Sequence, residues 1–331
     1  FKMPYAPLPQ GKNSVTDFIP VARVSDMLLN PGQKFDYDGR EYTYPDIDLI
    51  YWAGGNPFHH HQNLARLRKA WEKPSTVIVN EWCWNSLARH ADIILPCTTT
   101  LERRDIGMTP RDPYVISMDK AIEPIGEARN DYDIFAGIAR HMGNEDTFTE
   151  GRTAEDWQEW IWEQSRERAA KLNVKMPDYQ SFRKTGFYKS PELNEDRIFL
   201  SDFINDPDTN PLKTPSGKIE IFSETIDSFD YDNCPGHPTW MEPAEWLGAK
   251  NKIYPLHLIS NQPRTKLHSQ MDNGALSSSI KIKGHQPLEM NPVDAKARGI
   301  TEGDIVKVFN GRGACLCGAN ITNDVMPGVV I

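Results

Sequence analysis

Asp46–Asp105 reads DIDLIYWAGGNPFHHHQNLARLRKAWEKPSTVIVNEWCWNSLARHADIILPCTTTLERRD, and its pattern decides the fold. Asp48 to Ala53 is a short apolar run rich in β-formers that leads directly into Gly54-Gly55-Asn56-Pro57. A glycine pair at that point lets the backbone turn tightly and leaves room for a ligand to approach it. The spacing predicts a helix next, with Asn56 as its cap, Pro57 in the first turn, and Phe58, Leu64, Leu67 and Trp71 along one face. Pro74 closes it. A second apolar run, Thr76 to Val79, ends in Asn80 and Glu81; a short helical piece, Asn85 to His90, precedes a third run, Ile93 to Leu95, that stops at Pro96.

The order is βαβαβ, the unit that builds parallel sheets. Such units gather strand ends and helix starts on one rim, where free backbone N–H groups favour phosphate. Glu81 follows the glycine pair at roughly the interval that places an acidic residue on a ribose. GxGxxG is absent, so on pattern alone a generic α/β turn with a capped helix stands beside the phosphate site.

Seven further stretches occur in order: YWAGGNPFHHHQNLARL (51–67), ARHADIILPCTTTLER (88–103), EARNDYDIF (127–135), TPSGKIEIFSE (214–224), HPTW (237–240), SNQPRTKLHSQMD (260–272) and ARGITEGDIVKV (297–308). Together they resemble the molybdopterin oxidoreductases of the dimethyl sulfoxide reductase family, in the branch of the trimethylamine N-oxide, dimethyl sulfoxide and biotin sulfoxide reductases. The resemblance implies a molybdenum ion held by two molybdopterin guanine dinucleotides and oxygen-atom transfer from a small S-oxide or N-oxide, with an electron-donor protein as a partner. It also implies a metal-ligand serine upstream of the matched region and a downstream segment that completes the second pterin site. The chain opens at Phe1 and stops in MPGVVI, so it is expected to be part of a longer reductase and inactive alone.

The same resemblance assigns residues. Gly54, Gly55 and Asn56 lie where the family binds a pterin guanine dinucleotide. Asn80 and Glu81 would accept from ribose hydroxyls or guanine. Asp92 would accept from guanine's N1–H and exocyclic amine, the planar match of a carboxylate, or else cap a strand end. Thr98 and Asp105 are expected on the same rim, although this chain departs from the family's frequent Asn at Arg104. In the third stretch of the chain, Arg264 and His268 would donate to phosphate or pterin, with Ser260, Ser269 and Gln270 adding neutral hydrogen bonds.

Elsewhere the chain is ordinary globular sequence of 331 residues, 39% hydrophobic and 25% charged, with no run approaching the roughly 20 apolar residues of a membrane helix. A net charge of −9 argues against a nucleic-acid partner, which requires a basic face. The five cysteines, Cys83, Cys97, Cys234, Cys315 and Cys317, form no CxxC pair. Cys315 and Cys317 alternate on a strand and share a face, but free thiols are the expectation. His59, His60 and His61 are consecutive, so on a helix they point about 100° apart and do not converge on one ion. Periplasmic and cytoplasmic locations both fit.

The expected architecture is an α/β parallel-sheet dinucleotide-binding domain followed by a mostly β, barrel-like domain that is incomplete. Residues 1–45 form an N-terminal segment with one helical stretch, Val21 to Leu29, packing beside the sheet. Residues 46–175 form the α/β domain. They include a helix over Arg129–Met142 with Tyr132, Phe135, Ile138 and Ala139 on its inner face. A capped helix over Thr153–Leu172 carries a stripe of Trp157, Trp160, Ile161 and Leu172. Residues 176–250 are an irregular connector containing one strand in TPSGKIEIF, and 251–331 the barrel-like domain, with Asn310-Gly311 as a type I′ hairpin turn. Two readings compete with the oxide reductase: a stand-alone nucleotide-binding or scaffold module without metal chemistry, and another branch of the family such as nitrate reductase or formate dehydrogenase.

Overall fold

The computed structural model describes residues 5–16, 18–109, 112–191 and 198–331. In chain order the first elements are α1 (Val24–Leu29), β1 (Lys34–Tyr37), β2 (Arg40–Thr43), β3 (Leu49–Ala53), α2 (Pro57–His60), α3 (Leu64–Trp71), β4 (Thr76–Glu81) and β5 (Ile93–Pro96). Next come β6 (Asp105–Met108), β7 (Tyr114–Met118), α4 (Asp131–His141), α5 (Glu145–Thr149), α6 (Ala154–Ala170), α7 (Tyr179–Thr185), β8 (Phe187–Lys189) and α8 (Ser201–Asn205). The chain then runs through α9 (Glu224–Asp227), β9 (His257–Leu258), α10 (Ala275–Ser279), β10 (Pro287–Met290), α11 (Pro292–Ala297), β11 (Ile305–Asn310), β12 (Gly313–Ile321) and β13 (Val329–Val330).

These elements form two compact units whose segments interleave in sequence. The first holds Leu49–Gly54 and Thr76–Ile219 with the stretch up to Phe18; the second holds Ile19–Asp48, Gly55–Ser75 and Glu220–Ile331. The expected domains, in contrast, were continuous stretches of chain.

In the first unit β3, β4 and β5 make a parallel sheet in that order, with Leu49 opposite Thr76 and Ile78 opposite Ile93. β4 is central, and Val77 and Val79 are buried, which is why TVIV is a nearly continuous apolar run. Cys97 forms a parallel bridge with Arg129, carrying the edge one position further, to the start of α4. Phe135 of α4 meets the Tyr51 ring at 5.4 Å, and the expected inner face of that helix is half-buried, with Ala136 deepest. A second sheet, β6-β7-β8, is antiparallel.

The core of this unit is aromatic. Thr153 and Asp156 complete a reciprocal capping box that starts α6, and the helix presents Trp162 to Phe182 of α7, stacked at 3.7 Å between centroids. Val115, Ala169, Met176, Tyr179 and Tyr188 close around them. Of the expected stripe Trp157 is buried and Trp160 and Ile161 are half-buried, but Trp162 takes the deepest position and Leu172, beyond the end of α6 at Ala170, is exposed.

In the second unit α1 packs on α3 and is tied to it by Asp26 and Arg66 at 2.5 Å. The single helix expected after Gly55 is broken. His61 is extended, and Asn63 adopts a left-handed conformation while its side chain accepts from the Arg66 N–H, so a new helix starts at Leu64. Leu67 and Trp71 are buried and Phe58 meets Trp71 edge-on at 5.5 Å, but Leu64 is exposed.

The C-terminal sheet runs β11-β12-β10-β13-β9, an open sheet with β11 and β9 at its edges. Leu288, Met290, Ala295, Cys317 and Val330 form its core. The hairpin at Asn310 exists with Asn310 paired to Gly313. Its turn residues, Gly311 and Arg312, have no positive φ, so it is not type I′; the Asn310 side chain instead accepts from the Arg312 and Gly313 N–H groups. TPSGKIEIF forms no strand, and IYPLHLIS pairs only at His257–Leu258.

Phe182→Ala should lower the urea midpoint of the chain, at a cost of about 3–5 kcal/mol for an emptied aromatic site. Leu172→Ala should shift it by less than about 0.5 kcal/mol. Equal effects would contradict the core described above.

Candidate functional site

Parallel strands in register must end together, and in the first unit the central strand β4 ends on the polar pair Asn80–Glu81. Ala53 pairs with Asn80 and Glu81 with Pro96, and the Cys97 N–H donates to the Glu81 carbonyl at 3.2 Å. Gly54, Asn80, Glu81 and Thr98 thus share the carboxyl edge. Gly54 and Gly55 have φ of 77° and 66°, a region that costs a side chain about 1–2 kcal/mol. A Cβ built at either glycine meets nothing within 4 Å, so the turn is an open shelf on which a ligand can reach the backbone.

Beside the shelf lies a buried polar chain. Tyr51 Oη donates to Asn80 Oδ1 at 2.8 Å, and Asn80 Nδ2 donates to Asp131 Oδ1 at 2.8 Å. The Asn80 side chain is therefore held by the protein, and Glu81, buried at the strand end, is the neighbouring acid. Burial, followed by the charges of Asp131 and Glu81, pushes the Cys97 thiol up to about 11. Asp131 and Glu81 thus place carboxylates at the edge that are suited to accepting from hydroxyl and amine groups.

Thr98 Oγ1 donates to Asn130 Oδ1 at 2.8 Å, and its carbonyl accepts from Arg103 Nη1 at 3.0 Å. Arg103 Nε also bonds Asp105 at 3.2 Å, so Asp105, the first residue of β6, is linked to the edge through Arg103. A polar cavity of about 540 Å³ here is lined by Thr98, Arg103, Arg129 and Asn130 among others. Arg103, Arg129, Asn130 and Asp131 were not among the residues expected at the site. An Asn-Asp pair opening a helix was the available signal, but Asn130 does not cap α4 with its side chain; it serves Thr98.

Asp92 lies elsewhere. It immediately precedes β5, opposite Val77, and accepts from the Val77 N–H at 2.8 Å. That is the amino edge of the sheet, so the expectation that Asp92 shares the rim is corrected. The carboxylate closes a strand start.

In the second unit Asn56 is buried and its side chain accepts from the Phe58 N–H at 3.0 Å. α2 is only four residues long and the Phe58 N–H at its start is taken by Asn56, so the expected helix start offers phosphate little. What gathers around α2 instead is the loop after β9. Ser269 Oγ donates to the His59 carbonyl at 3.5 Å, and the His60 and His268 rings are 6.1 Å apart. Ser260, Arg264, His268 and Gln270 are exposed on this loop, and Ser269 is half-buried.

Two features define the chemistry here. His59 Nδ1, His61 Nε2 and Thr265 Oγ1 are buried with no hydrogen-bond partner, a costly condition that a ligand would relieve. Burial, then the neighbouring histidines, hold His59 and His61 below the usual imidazole range, so they are neutral donors and acceptors. The loop is stapled from beneath: Asp272 bridges Lys266 and Lys281, the latter at 2.7 Å, and Lys266 also donates to Gln286 at 2.9 Å. Burial pushes the Asp272 carboxyl up, but the hydrogen bonds from both lysines outweigh it and leave it below the usual range. Taken separately, the carboxyl-edge acceptors of the first unit and the half-buried imidazoles with Arg264 in the second each present hydrogen-bonding groups of the kind a nucleotide uses. Among the described residues no group of three or more His, Cys, Asp or Glu side chains could hold a metal ion, and no helix is long and apolar enough to cross a membrane.

A family model described as molybdopterin oxidoreductase matches residues 13–141, and one described as "Molydopterin dinucleotide binding domain" matches 256–331. Among similar proteins, the dimethyl sulfoxide/trimethylamine N-oxide reductase of Cereibacter sphaeroides is 48% identical over 94% of this chain and 38% of its own length. The biotin sulfoxide reductase of the same organism is 44% identical over 97% of this chain and 43% of its own length. The trimethylamine-N-oxide reductase of Haemophilus influenzae is 43% identical over 94% and 38%. The chain thus spans well under half the length of these relatives. The solved structure of acetylene hydratase from Pelobacter acetylenicus matches with a TM-score of 0.64 and 19% identity over 87% of this chain and 37% of its own, a likeness of fold.

Because folding lowers the pKa of His59 and His61, their contribution to stability is present above about pH 6.5 and is lost as pH falls through and below it. The urea midpoint should therefore be lower at pH 5.5 than at 7.5, and the difference should shrink in a His59→Gln, His61→Gln double variant; an unchanged difference would contradict neutral imidazoles. Asp272→Ala should cost about 2 kcal/mol, short of the roughly 3–5 of a fully buried pair because the carboxylate is partly exposed. Calorimetry would measure it.

Proposed function

We propose, on the premise that this chain belongs to the molybdopterin oxidoreductases, that it is the dinucleotide-holding portion of a reductase acting on a small S-oxide or N-oxide such as dimethyl sulfoxide, trimethylamine N-oxide or biotin sulfoxide. The observation that carries this is the open Gly54–Gly55 shelf beside Glu81 at the end of a parallel sheet, in a chain 43–48% identical to such reductases. Bound molybdenum bis(molybdopterin guanine dinucleotide) supplies two-electron oxygen-atom transfer. This chain's own residues bind and orient it.

The roles divide by charge. Glu81 accepts from ribose or guanine N–H and O–H groups, with Asn80 and Asp131 fixing the strand end from which it projects. Thr98, Arg103 and Asp105 order the adjoining edge. Gly54 and Gly55 admit the ligand to the backbone, and Asn56 holds the turn that follows. Arg264 neutralises phosphate, His59 and His61 give neutral hydrogen bonds to pterin or phosphate oxygens, and His268, Ser260, Ser269 and Gln270 extend the set. Substrate turnover and the docking of an electron donor belong to a protein of the relatives' full length, and no nucleic acid is expected at so acidic a chain.

The test is guanine content. The chain produced in cells that make the molybdenum cofactor should release guanine nucleotide on acid hydrolysis, and Gly55→Val should reduce the yield at least about tenfold while lowering stability by only about 1–2 kcal/mol. Nucleotide absent from the parent chain, or equal in the variant, would sink the proposal. With reduced dye as donor, a full-length protein should reduce trimethylamine N-oxide or dimethyl sulfoxide and this chain alone should not.

A further inference from the structure

Cys315 and Cys317 stand two residues apart on β12, opposite Val308 and Val306 of β11, and so project from the same face. Their thiols hydrogen-bond each other. Cys317 is buried in the apolar cluster with Leu288, Met290 and Val330, whereas Cys315 is exposed. Cys315 also lines a cavity of about 1040 Å³ whose wall includes Leu288, Met290, Val306, Val308 and Val330. The Cys317 sulfur therefore sits in the apolar core, and Cys315, exposed, lines the cavity. Alternate residues of a strand are roughly 6.6 Å apart, at the far end of the Cα separation a disulfide spans; both cysteines are free thiols, a pair that a single interposed atom can bridge.

We propose that Cys315 and Cys317 form a dithiol site for a trivalent organoarsenical, a ligand class unrelated to the cofactor function. Charge selects this class among thiophilic centres. A monovalent copper ion held by two thiolates would leave a net negative charge against an apolar wall, which is costly. An arsenic bearing one organic group and two sulfurs is neutral, and its organic group has the apolar cavity to occupy. With phenylarsine oxide the step balances without redox change: two As–S bonds form, the As=O bond and two S–H bonds break, arsenic remains trivalent, and the oxide leaves with both thiol protons as water. Burial, then Cys315, pushes the Cys317 thiol up to about 11, which leaves little thiolate for reagents that attack one sulfur alone.

Intact-mass spectrometry of the folded chain after phenylarsine oxide treatment tests this. The expected result is an adduct retained when Cys83, Cys97 and Cys234 are all serine, removed by a dithiol, and lost in Cys315→Ala and in Cys317→Ser separately. Cys315→Ala changes an exposed residue, and a circular dichroism spectrum matching the parent's shows that its loss of adduct is chemical. An adduct that survives either single substitution, or that disappears with the triple serine variant, overturns the proposal. So does preferential binding of one monovalent copper ion by the pair with no arsenical adduct. The guanine measurement is independent of every one of these outcomes.

Discussion

Asn80 is buried with both ends of its amide engaged, one by Tyr51 from β3 and the other by Asp131 at the start of α4. An unpaired amide at that depth would cost on the order of 1–3 kcal/mol, so the bonds fix where strand and helix meet. Parallel register does the rest. Once β3, β4 and β5 are aligned, Gly54, Glu81 and Thr98 emerge at one edge, and the Cys97–Arg129 bridge brings Asn130 alongside. A one-residue slip would send these side chains to the opposite face.

The second unit handles polarity differently. Its loop after β9 has almost no sheet to hold it, since β9 is two residues long. The Lys266–Asp272–Lys281 triad takes that part, anchoring the loop from below and leaving Arg264 and His268 exposed above. The imidazoles of His59 and His61 are left short of partners and kept neutral. Native interiors rarely tolerate such groups without a function for them. Acceptors dominate the sheet edge and a cation with neutral imidazoles dominates the loop, so the net charge of −9 does not describe either place.

The C-terminal sheet shows the same economy in apolar form. It is open at β11 and β9, and its concave side is a large cavity with a compact core beneath. Cys315 and Cys317 are placed together there by strand alternation alone.

By itself the sequence determined the strand order of the parallel sheet, the glycine turn, the Thr153 capping box and the Asn310 hairpin. Each is written in local periodicity or in one residue's backbone preference. Its ordered motifs also carried the resemblance to the molybdopterin oxidoreductases, whose family model matches residues 13–141. Tertiary structure decided what such signals leave out. A carboxylate before an apolar run looks the same whether it faces ligand or caps a strand, and only register put Asp92 at the amino edge. Helical spacing could not foresee the break at His61–Asn63, because apolar periodicity does not register a left-handed Asn63 whose side chain caps α3. TPSGKIEIF has strand composition but forms no strand, since a strand needs a neighbour as well as a pattern. Arg129, Asn130 and Asp131 joined the edge through long-range pairing, and contacts between residues about 30 to 50 positions apart cannot be read from spacing; Arg103 joined it through local bonds to Thr98 and Asp105.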